Sequence, residues 1–133
     1  MIESAKVTFS RIGVHTEGYH GAIFMPRIVL NIQGRKAGKT GYLAPQRFDK
    51  KDYQGLAILP DFIVVITTNE YIIVDEKVEE KAALSVAETG RIVGVQEEGF
   101  LCVKENHLTL RDITGQVIGE RELTTEEIAE LNQ

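Results

Sequence analysis

The fold class is decided by four short apolar runs: Ile92-Val93-Gly94-Val95-Gln96, Phe100-Leu101-Cys102-Val103-Lys104, Leu108-Thr109-Leu110-Arg111 and Gln116-Val117-Ile118-Gly119-Glu120. Between them lie the turn-forming triplets Glu97-Glu98-Gly99, Glu105-Asn106-His107 and Ile113-Thr114-Gly115. A repeat of about eight residues with turn chemistry between the runs is typical of an antiparallel β-meander. We therefore expect four consecutive antiparallel strands in residues 92–122.

The four runs differ in how their apolar residues alternate. The second run is apolar at consecutive positions from Phe100 to Val103, which predicts a central strand with both faces covered. In the third run Leu108 and Leu110 alternate with polar residues, which predicts a strand nearer an edge with one face in water.

The pattern recurs earlier in the chain. When residues 56–75 are aligned without gaps to residues 93–112, which lie 37 positions later, residues of the same type coincide at many positions. Asn69 coincides with Asn106, and Asp75 coincides with Asp112. Asn and Asp suit tight turns because their side chains bond nearby backbone. A period near 37 residues with three or four strands per unit lies close to that of β-propeller blades, which number typically four to eight. This chain has room for about three, so such a ring would need oligomerisation to close.

We expect a mainly β chain, with one domain over residues 1–133 and an antiparallel meander sheet closed as a small barrel or sandwich. The alternative is a set of propeller-like blades completed by oligomerisation. The sequence has no Trp, so the Trp-Asp signature of one propeller family is absent, and no family is recognised. Thr124 and Glu127 form a capping box that predicts a short C-terminal helix.

The N-terminal part gives weaker signals. Alternation predicts a strand over residues 5–14, and the glycines and histidines of residues 15–21 predict a loop. Pro26 predicts a break, bulge or edge between the apolar runs 22–25 and 28–32, since proline cannot donate to a ladder. Residues 47–54 suggest one helical turn. For residues 83–88 we favour a strand joined to Ile92 by a tight turn.

Composition places the chain among ordinary globular domains, with 43% hydrophobic and 26% charged residues. No apolar run approaches the roughly 20 residues that span a bilayer. Cys102 is the single cysteine and lies in the most apolar run, so we expect a buried core thiol and no internal disulfide. A reducing cytoplasm is the default location.

Charge is distributed unevenly along the chain. Residues 1–55 carry a formal charge of +5 and residues 56–133 carry −10. The two halves could present separate surfaces, an acidic one for a basic protein and a basic one for an anion. It is equally consistent that the halves attract each other, or a second copy of the chain.

A glycine-rich basic loop over residues 34–41 raises the question of phosphate binding. Gly38-Lys39-Thr40 matches the end of a Walker A motif, but Gly34 to Gly38 leaves three intervening residues where four are required. A looser anion or nucleic-acid patch remains an alternative. Its candidate residues are Arg35, Lys36, Lys39, Arg47, Lys50 and Lys51.

Candidate chemical sites are few. His15, Glu17 and His20 are the only cluster of metal-ligand types, and their spacing fits no recognised geometry, so we expect no metal and no cofactor. No serine lies in a nucleophile elbow and no catalytic residue can be named, so enzymatic activity is not favoured.

The first functional hypothesis is therefore a non-catalytic binding module of the inhibitor, immunity or adaptor type. Its acidic face would steer a basic protein partner through Glu97, Glu98, Glu120 and Glu122. The alternatives are the anion or nucleic-acid patch, and a small-ligand site in an oligomeric propeller-like assembly. A homo-oligomer is compatible with these hypotheses, nucleic acid is the less favoured partner, and no membrane contact is expected.

Overall fold

The computed structural model describes residues 1–132 and consists mainly of β-strands. The strands are β1 (Ile2–Thr16), β2 (Tyr19–Ile32), β3 (Lys39–Tyr42), β4 (Tyr53–Ile58), β5 (Phe62–Thr67), β6 (Glu70–Asp75), β7 (Glu80–Ser85), β8 (Arg91–Val95), β9 (Phe100–Lys104), β10 (His107–Arg111) and β11 (Val117–Glu122). The helices are α1 (Val86–Thr89) and α2 (Thr125–Leu131), with a 3-10 turn at Lys50–Asp52.

The strands form three separate antiparallel sheets. The N-terminal sheet has the order β1-β2-β3, the middle sheet β4-β5-β6-β7 and the C-terminal sheet β11-β10-β9-β8. The predicted four-strand meander over residues 92–122 is confirmed by the C-terminal sheet, and the middle sheet is a second meander of the same order. Of the two expected arrangements, a barrel or a sandwich, the structure is consistent with the sandwich, because each sheet is open and ends in an edge strand on both sides.

The middle sheet lies between the other two and is covered on both faces. On one face Ile63, Val65, Ile72 and Val74 pack against Ile2, Ile28, Leu30, Ile32 and Leu43 of the N-terminal part. On the other face Phe62, Val64, Tyr71 and Ile73 pack against Phe100 and Cys102 of the C-terminal sheet. Burying a Val, Ile or Phe side chain contributes roughly 1.5–3 kcal/mol, so these two interfaces hold the stack together.

The N-terminal sheet is built on one long hairpin. β1 and β2 pair from Ile2↔Ile32 to Thr16↔Tyr19, so the predicted loop over residues 15–21 is wrong except for the turn itself. Each strand has 14 or 15 residues, against six in β5, so the distal half of the hairpin extends past the middle sheet. Phe24 there is 55% exposed.

Of the expected break, bulge or edge at Pro26, the structure shows the edge: Pro26 lies inside β2 without interrupting it, just beyond the last residue pair with β3. Its carbonyl oxygen accepts a hydrogen bond from Leu43 N–H at 3.0 Å. In an antiparallel strand the N–H and C=O of a residue point to the same side, so the missing donor of Pro26 faces the side on which β3 has ended at Tyr42. No ladder hydrogen bond is lost there.

The last turn of each four-stranded sheet is built in the same way. Asp75 Oδ1 accepts from Lys77 N–H at 2.9 Å and from Glu79 N–H at 3.0 Å. Asp112 Oδ1 accepts from Thr114 N–H at 2.9 Å and from Gln116 N–H at 3.2 Å. The two sets of atoms are separated by the same 37 residues, and in both turns the side chain of Asp satisfies two backbone donors that the turn leaves free.

Val78 occupies the left-handed position of its turn, with φ 62°, where the other turn has Gly115 with φ 80°. A β-branched residue in this region is strained by roughly 1–3 kcal/mol. The side chain is nevertheless only 6% exposed, because it packs into the interface between the N-terminal and middle sheets. It fills the space beside Gly41, where an added Cβ would lie 2.7 Å from Val78 Cβ.

Gly41→Ala should therefore destabilise the stack by roughly 1–3 kcal/mol in urea-induced unfolding, since the new methyl group overpacks this contact. Gly13→Ala is the matched control, because no atom lies within 4 Å of its added Cβ and its stability should hardly change. In the Val78→Gly background the cost of Gly41→Ala should largely disappear. An equal cost in both backgrounds would contradict the proposed contact.

Candidate functional site

The outward face of the C-terminal sheet is an apolar surface that no other sheet covers. Because Cys102 and Phe100 face the middle sheet, their neighbours along β9, Leu101 and Val103, point the other way. The β-ladder pairs Leu101 with Leu110 and Val103 with Leu108, which places all four on one face. The prediction that both faces of Phe100–Val103 are covered is thus wrong for Leu101 and Val103, which are only partly buried.

Helix α2 turns this face into a groove. The groove has a volume of about 420 Å³, and the residues that line it are Val93, Gln96, Leu101, Val103, Leu108, Leu110, Gly119, Glu120, Arg121, Leu123, Glu127, Glu130 and Leu131. The floor is aliphatic, and Glu127 and Glu130 lie along the rim. The Glu120 side chain points to the opposite face, because Glu120 pairs with Thr109 and Thr109 pairs with Cys102. None of the residues of α2 is buried, so the helix borders the groove without closing it.

An ion pair and a capping box fix the start of α2. Thr124 Oγ1 accepts from Glu127 N–H at 3.1 Å, and Glu127 Oε1 accepts from Thr124 N–H at 3.0 Å, which confirms the predicted capping box. Arg121 on β11 donates from both terminal nitrogens to the Glu127 carboxylate, at 2.6 and 2.8 Å. Arg121 and the Thr124 backbone together lower the pKa of Glu127 to about 2.

His107 connects two of the predicted acidic residues. Its Nδ1 lies 2.7 Å from Glu122 Oε1 and its Nε2 lies 3.2 Å from Glu120 Oε2. These two carboxylates, Glu120 first, raise the pKa of His107 above its ordinary value of 6.5. Below that pKa the imidazolium compensates part of the negative charge of this edge.

The four acidic residues predicted for partner binding do not form one surface. Glu97 and Glu98 lie in the turn that joins β8 to β9, next to one edge of the C-terminal sheet. Glu120 and Glu122 lie on β11, which is the opposite edge. Of the four, only Glu120 lies next to the groove, and its side chain points to the opposite face towards His107. Glu127 and Glu130, which sequence reasoning missed, form the acidic rim.

The basic residues predicted for anion binding are also dispersed, and Arg47 is already paired. Arg47 Nη2 lies 2.7 Å from Glu70 Oε2 and its Nε lies 2.8 Å from Glu80 Oε1. Glu70 and Glu80 raise the pKa of Arg47 above its ordinary range. The guanidinium thus joins the two halves of the chain.

The other basic candidates do not converge on one site. Arg35 and Lys39 line a depression together with Asp61, Asp75, Glu76 and Glu79, which reduces the positive potential available to an anion. Lys36 lies in the exposed loop between β2 and β3, and Lys50 and Lys51 lie in the 3-10 turn. Sequence clustering of basic residues therefore does not produce a basic patch here.

The predicted metal-ligand cluster lies at the tip of the long hairpin. His15 and His20 are cross-strand partners, with 2.9 Å between their Nδ1 atoms. Within residues 1–132 no group of three or more His, Cys, Asp or Glu side chains is arranged to hold a metal ion, so Glu17 does not complete a site with them.

Cys102 is fully buried, as predicted, and burial raises the pKa of its thiol to about 11. A protonated, inaccessible thiol is a poor nucleophile. Ser4 Oγ accepts a hydrogen bond from Asn31 Nδ2 at 2.7 Å. Neither side chain is placed for nucleophilic chemistry. Among the described residues, no helix has the length and apolar character needed to cross a membrane.

Comparison with known proteins leaves the site without a precedent: no family model, no curated protein and no solved structure matches this chain. The groove is therefore interpreted from its own geometry.

Glu127 should titrate far below an ordinary glutamate, with a midpoint of about 2 in carboxyl NMR titration. Because the folded-state pKa is depressed, its contribution to the attachment of α2 is present above the ordinary pKa of 4.5 and is lost as the pH falls towards 2. Arg121→Gln should move the midpoint back towards 4.5. A midpoint near 4.5 in the wild-type protein would contradict the ion pair.

His107 should titrate above 6.5 in imidazole NMR titration, and the double variant Glu120→Gln/Glu122→Gln should lower the midpoint. A raised pKa means that the stabilising contribution is complete below 6.5 and is lost as the pH rises through the folded-state pKa. Equal midpoints in the two proteins would show that the carboxylates do not hold the imidazolium in solution.

Proposed function

We propose that the protein is a single-domain, non-catalytic, cytoplasmic binding module that docks a protein partner on the outward face of its C-terminal sheet. The observation that carries the proposal is the groove, in which an aliphatic floor lies open under an acidic rim. A floor of this kind gains free energy when it is covered, at roughly 25 cal/mol per Å² of apolar surface.

The partner class follows from the charges. Glu130 lines the groove and forms no ion pair with Lys or Arg within residues 1–132. A partner segment with apolar side chains between Lys or Arg residues matches both the floor and the rim. The role of the acidic half of the chain is then to steer a basic partner, through rim residues other than the four expected from sequence.

We further propose that the middle and C-terminal sheets are copies of one unit of about 37 residues. The equal strand order and the equal Asp-centred turns support this interpretation. At an offset of 37, Val64, Tyr71 and Ile73 correspond to Leu101, Leu108 and Leu110. In the middle sheet this face is covered by the C-terminal sheet. In the C-terminal sheet the corresponding face is the floor of the groove, so a binding surface is expected at this position.

Selection of random peptides displayed against the immobilised protein tests the proposal. Selected peptides should carry apolar residues next to Lys or Arg, and Leu110→Asp should weaken their binding at least about 30-fold, because it places an unpaired carboxylate in the floor. Glu130→Gln should weaken binding by a smaller factor and reduce its salt dependence.

Val117→Ser is the matched control. Val117 is an exposed apolar residue of the same sheet. It pairs with Arg111, and Arg111 pairs with Phe100, which faces the middle sheet. The Val117 side chain therefore lies on the face opposite the groove. Peptide binding should therefore be unchanged in this variant. Peptides that bind the wild-type and Leu110→Asp proteins equally would overturn the proposed site.

A further inference from the structure

The stack of three sheets has two different ends, and both are uncovered. Each sheet presents one face backwards, towards the N-terminal end of the stack, and one face forwards. In the middle sheet Ile63 and Ile72 belong to the backward face, and Val64 and Ile73 belong to the forward face. The forward face of the C-terminal sheet is the groove, and the backward face of the N-terminal sheet is the opposite end.

The backward face of the N-terminal sheet follows from the strand register. Ala5, Val7, Ile28 and Leu30 pack towards the middle sheet, so the alternate residues point outwards. The residues on this outward face are Ser4, Lys6, Thr8, Arg27, Val29, Asn31, Thr40 and Tyr42, continued along the hairpin by Ser10, Ile12, Ile23 and Met25. The set contains no Asp or Glu and two basic residues.

This face carries both apolar and cationic groups that lack partners. Tyr42 is 49% exposed, and Ile12 is also exposed. Arg27 forms no ion pair within residues 1–132, and its Nε is buried without a hydrogen-bond partner there. Lys6 is exposed beside it on the neighbouring strand. The end of the stack is therefore polar and basic, with exposed apolar side chains at Tyr42 and Ile12.

We propose that the partner of the groove is a second copy of this chain, bound head to tail, so that two stacks close into a ring of six sheets. The inference rests on the proposed function and names the occupant of the same site. The N-terminal sheet of one copy covers the groove of the other, with Lys6 and Arg27 facing the rim that contains Glu127 and Glu130. In this contact one sheet covers the forward face of another, as the C-terminal sheet covers the forward face of the middle sheet within one chain.

Closure follows from the number of sheets. A head-to-tail contact between different surfaces grows into a filament unless rotation closes it. Sheets stacked face to face around an axis close typically with four to eight members. Two copies of three sheets give six, which lies within this range, whereas three copies give nine, which exceeds it. Two copies also leave no end face exposed.

Sedimentation over a wide concentration range provides the first measurement. The wild-type chain should sediment at twice the chain mass. Leu110→Asp blocks the groove, and Lys6→Glu/Tyr42→Ser changes two exposed residues of the opposite end, so each should raise the dimer dissociation constant at least about 30-fold. Val117→Ser should remain dimeric, since its side chain lies on neither end face.

Mixing the two blocked proteins distinguishes head-to-tail from other dimers. The Leu110→Asp chain retains an intact N-terminal face and the Lys6→Glu/Tyr42→Ser chain retains an intact groove, so native mass spectrometry of the mixture should show a 1:1 pair. A dimer that joins two grooves would survive Lys6→Glu/Tyr42→Ser, and that result would overturn the proposal. Absence of the mixed pair would also overturn it.

Failure of this inference is distinguishable from failure of the proposed function. A wild-type chain that remains monomeric up to about millimolar concentration overturns self-assembly, while selected peptides that still depend on Leu110 retain the groove as a site for another protein. Both the self-assembly and the proposed function would be overturned if Leu110→Asp changed neither dimerisation nor the binding of the selected peptides.

Discussion

Two-sided burial of the middle sheet is the constraint on which the rest of the structure depends. β5 and β6 carry apolar residues at consecutive positions, and Ile63, Val64, Ile72 and Ile73 are completely buried. Because side chains alternate between the two faces of a strand, one neighbouring layer can bury only half of the side chains in such a run. Two further sheets are needed, and the N-terminal hairpin and the C-terminal meander supply them.

The connection between β7 and β8 determines that these sheets stack instead of merging into a barrel. Helix α1 carries the chain out of the middle sheet, and Ser85 Oγ accepts from Glu88 N–H at its start. Gly90 follows with φ 91° and packs so closely against Val103 O that an added Cβ would overlap it. Tyr71 Oη donates to Gly90 O at 2.7 Å. These contacts hold β8 above the face of the middle sheet and away from its edge, where a continuous barrel would require it.

Local features were predictable from the sequence, and long-range ones were not. The meander over residues 92–122 and the capping box at Thr124 depend on turn chemistry and capping within a few residues, and both are confirmed. The choice between a break, a bulge and an edge at Pro26 depends on where β3 ends, which the local sequence does not specify. The length of the hairpin was underestimated because His15 and His20 face each other across the strands and continue the ladder.

The groove was missed for a physical reason that concerns periodicity. A run of consecutive apolar residues predicts burial on both faces, and for β5 this is correct within the chain itself. For β9 the same pattern leaves Leu101 and Val103 on a face that no described sheet covers. Hydrophobic patterning reports which surfaces favour burial, but it carries no information on whether the covering layer belongs to the same polypeptide. The signal that could have located the groove was the offset of 37, which places Leu101 on Val64 and Leu110 on Ile73.

The uneven charge along the chain has a related explanation. Arg47 bridges Glu70 and Glu80, and the amino group of Met1 lies 3.6 Å from Glu76, so part of the opposite charge holds the N-terminal and middle sheets together. Charge that remains at the two ends of the stack has opposite sign, since Lys6 and Arg27 lie at one end and Glu130 lies on the rim of the other. Equal end charges would make identical stacks repel, whereas opposite charges would favour the proposed head-to-tail orientation. The uneven distribution of charge along the chain therefore stabilises contacts between the sheets and also makes the two ends of the stack electrostatically different.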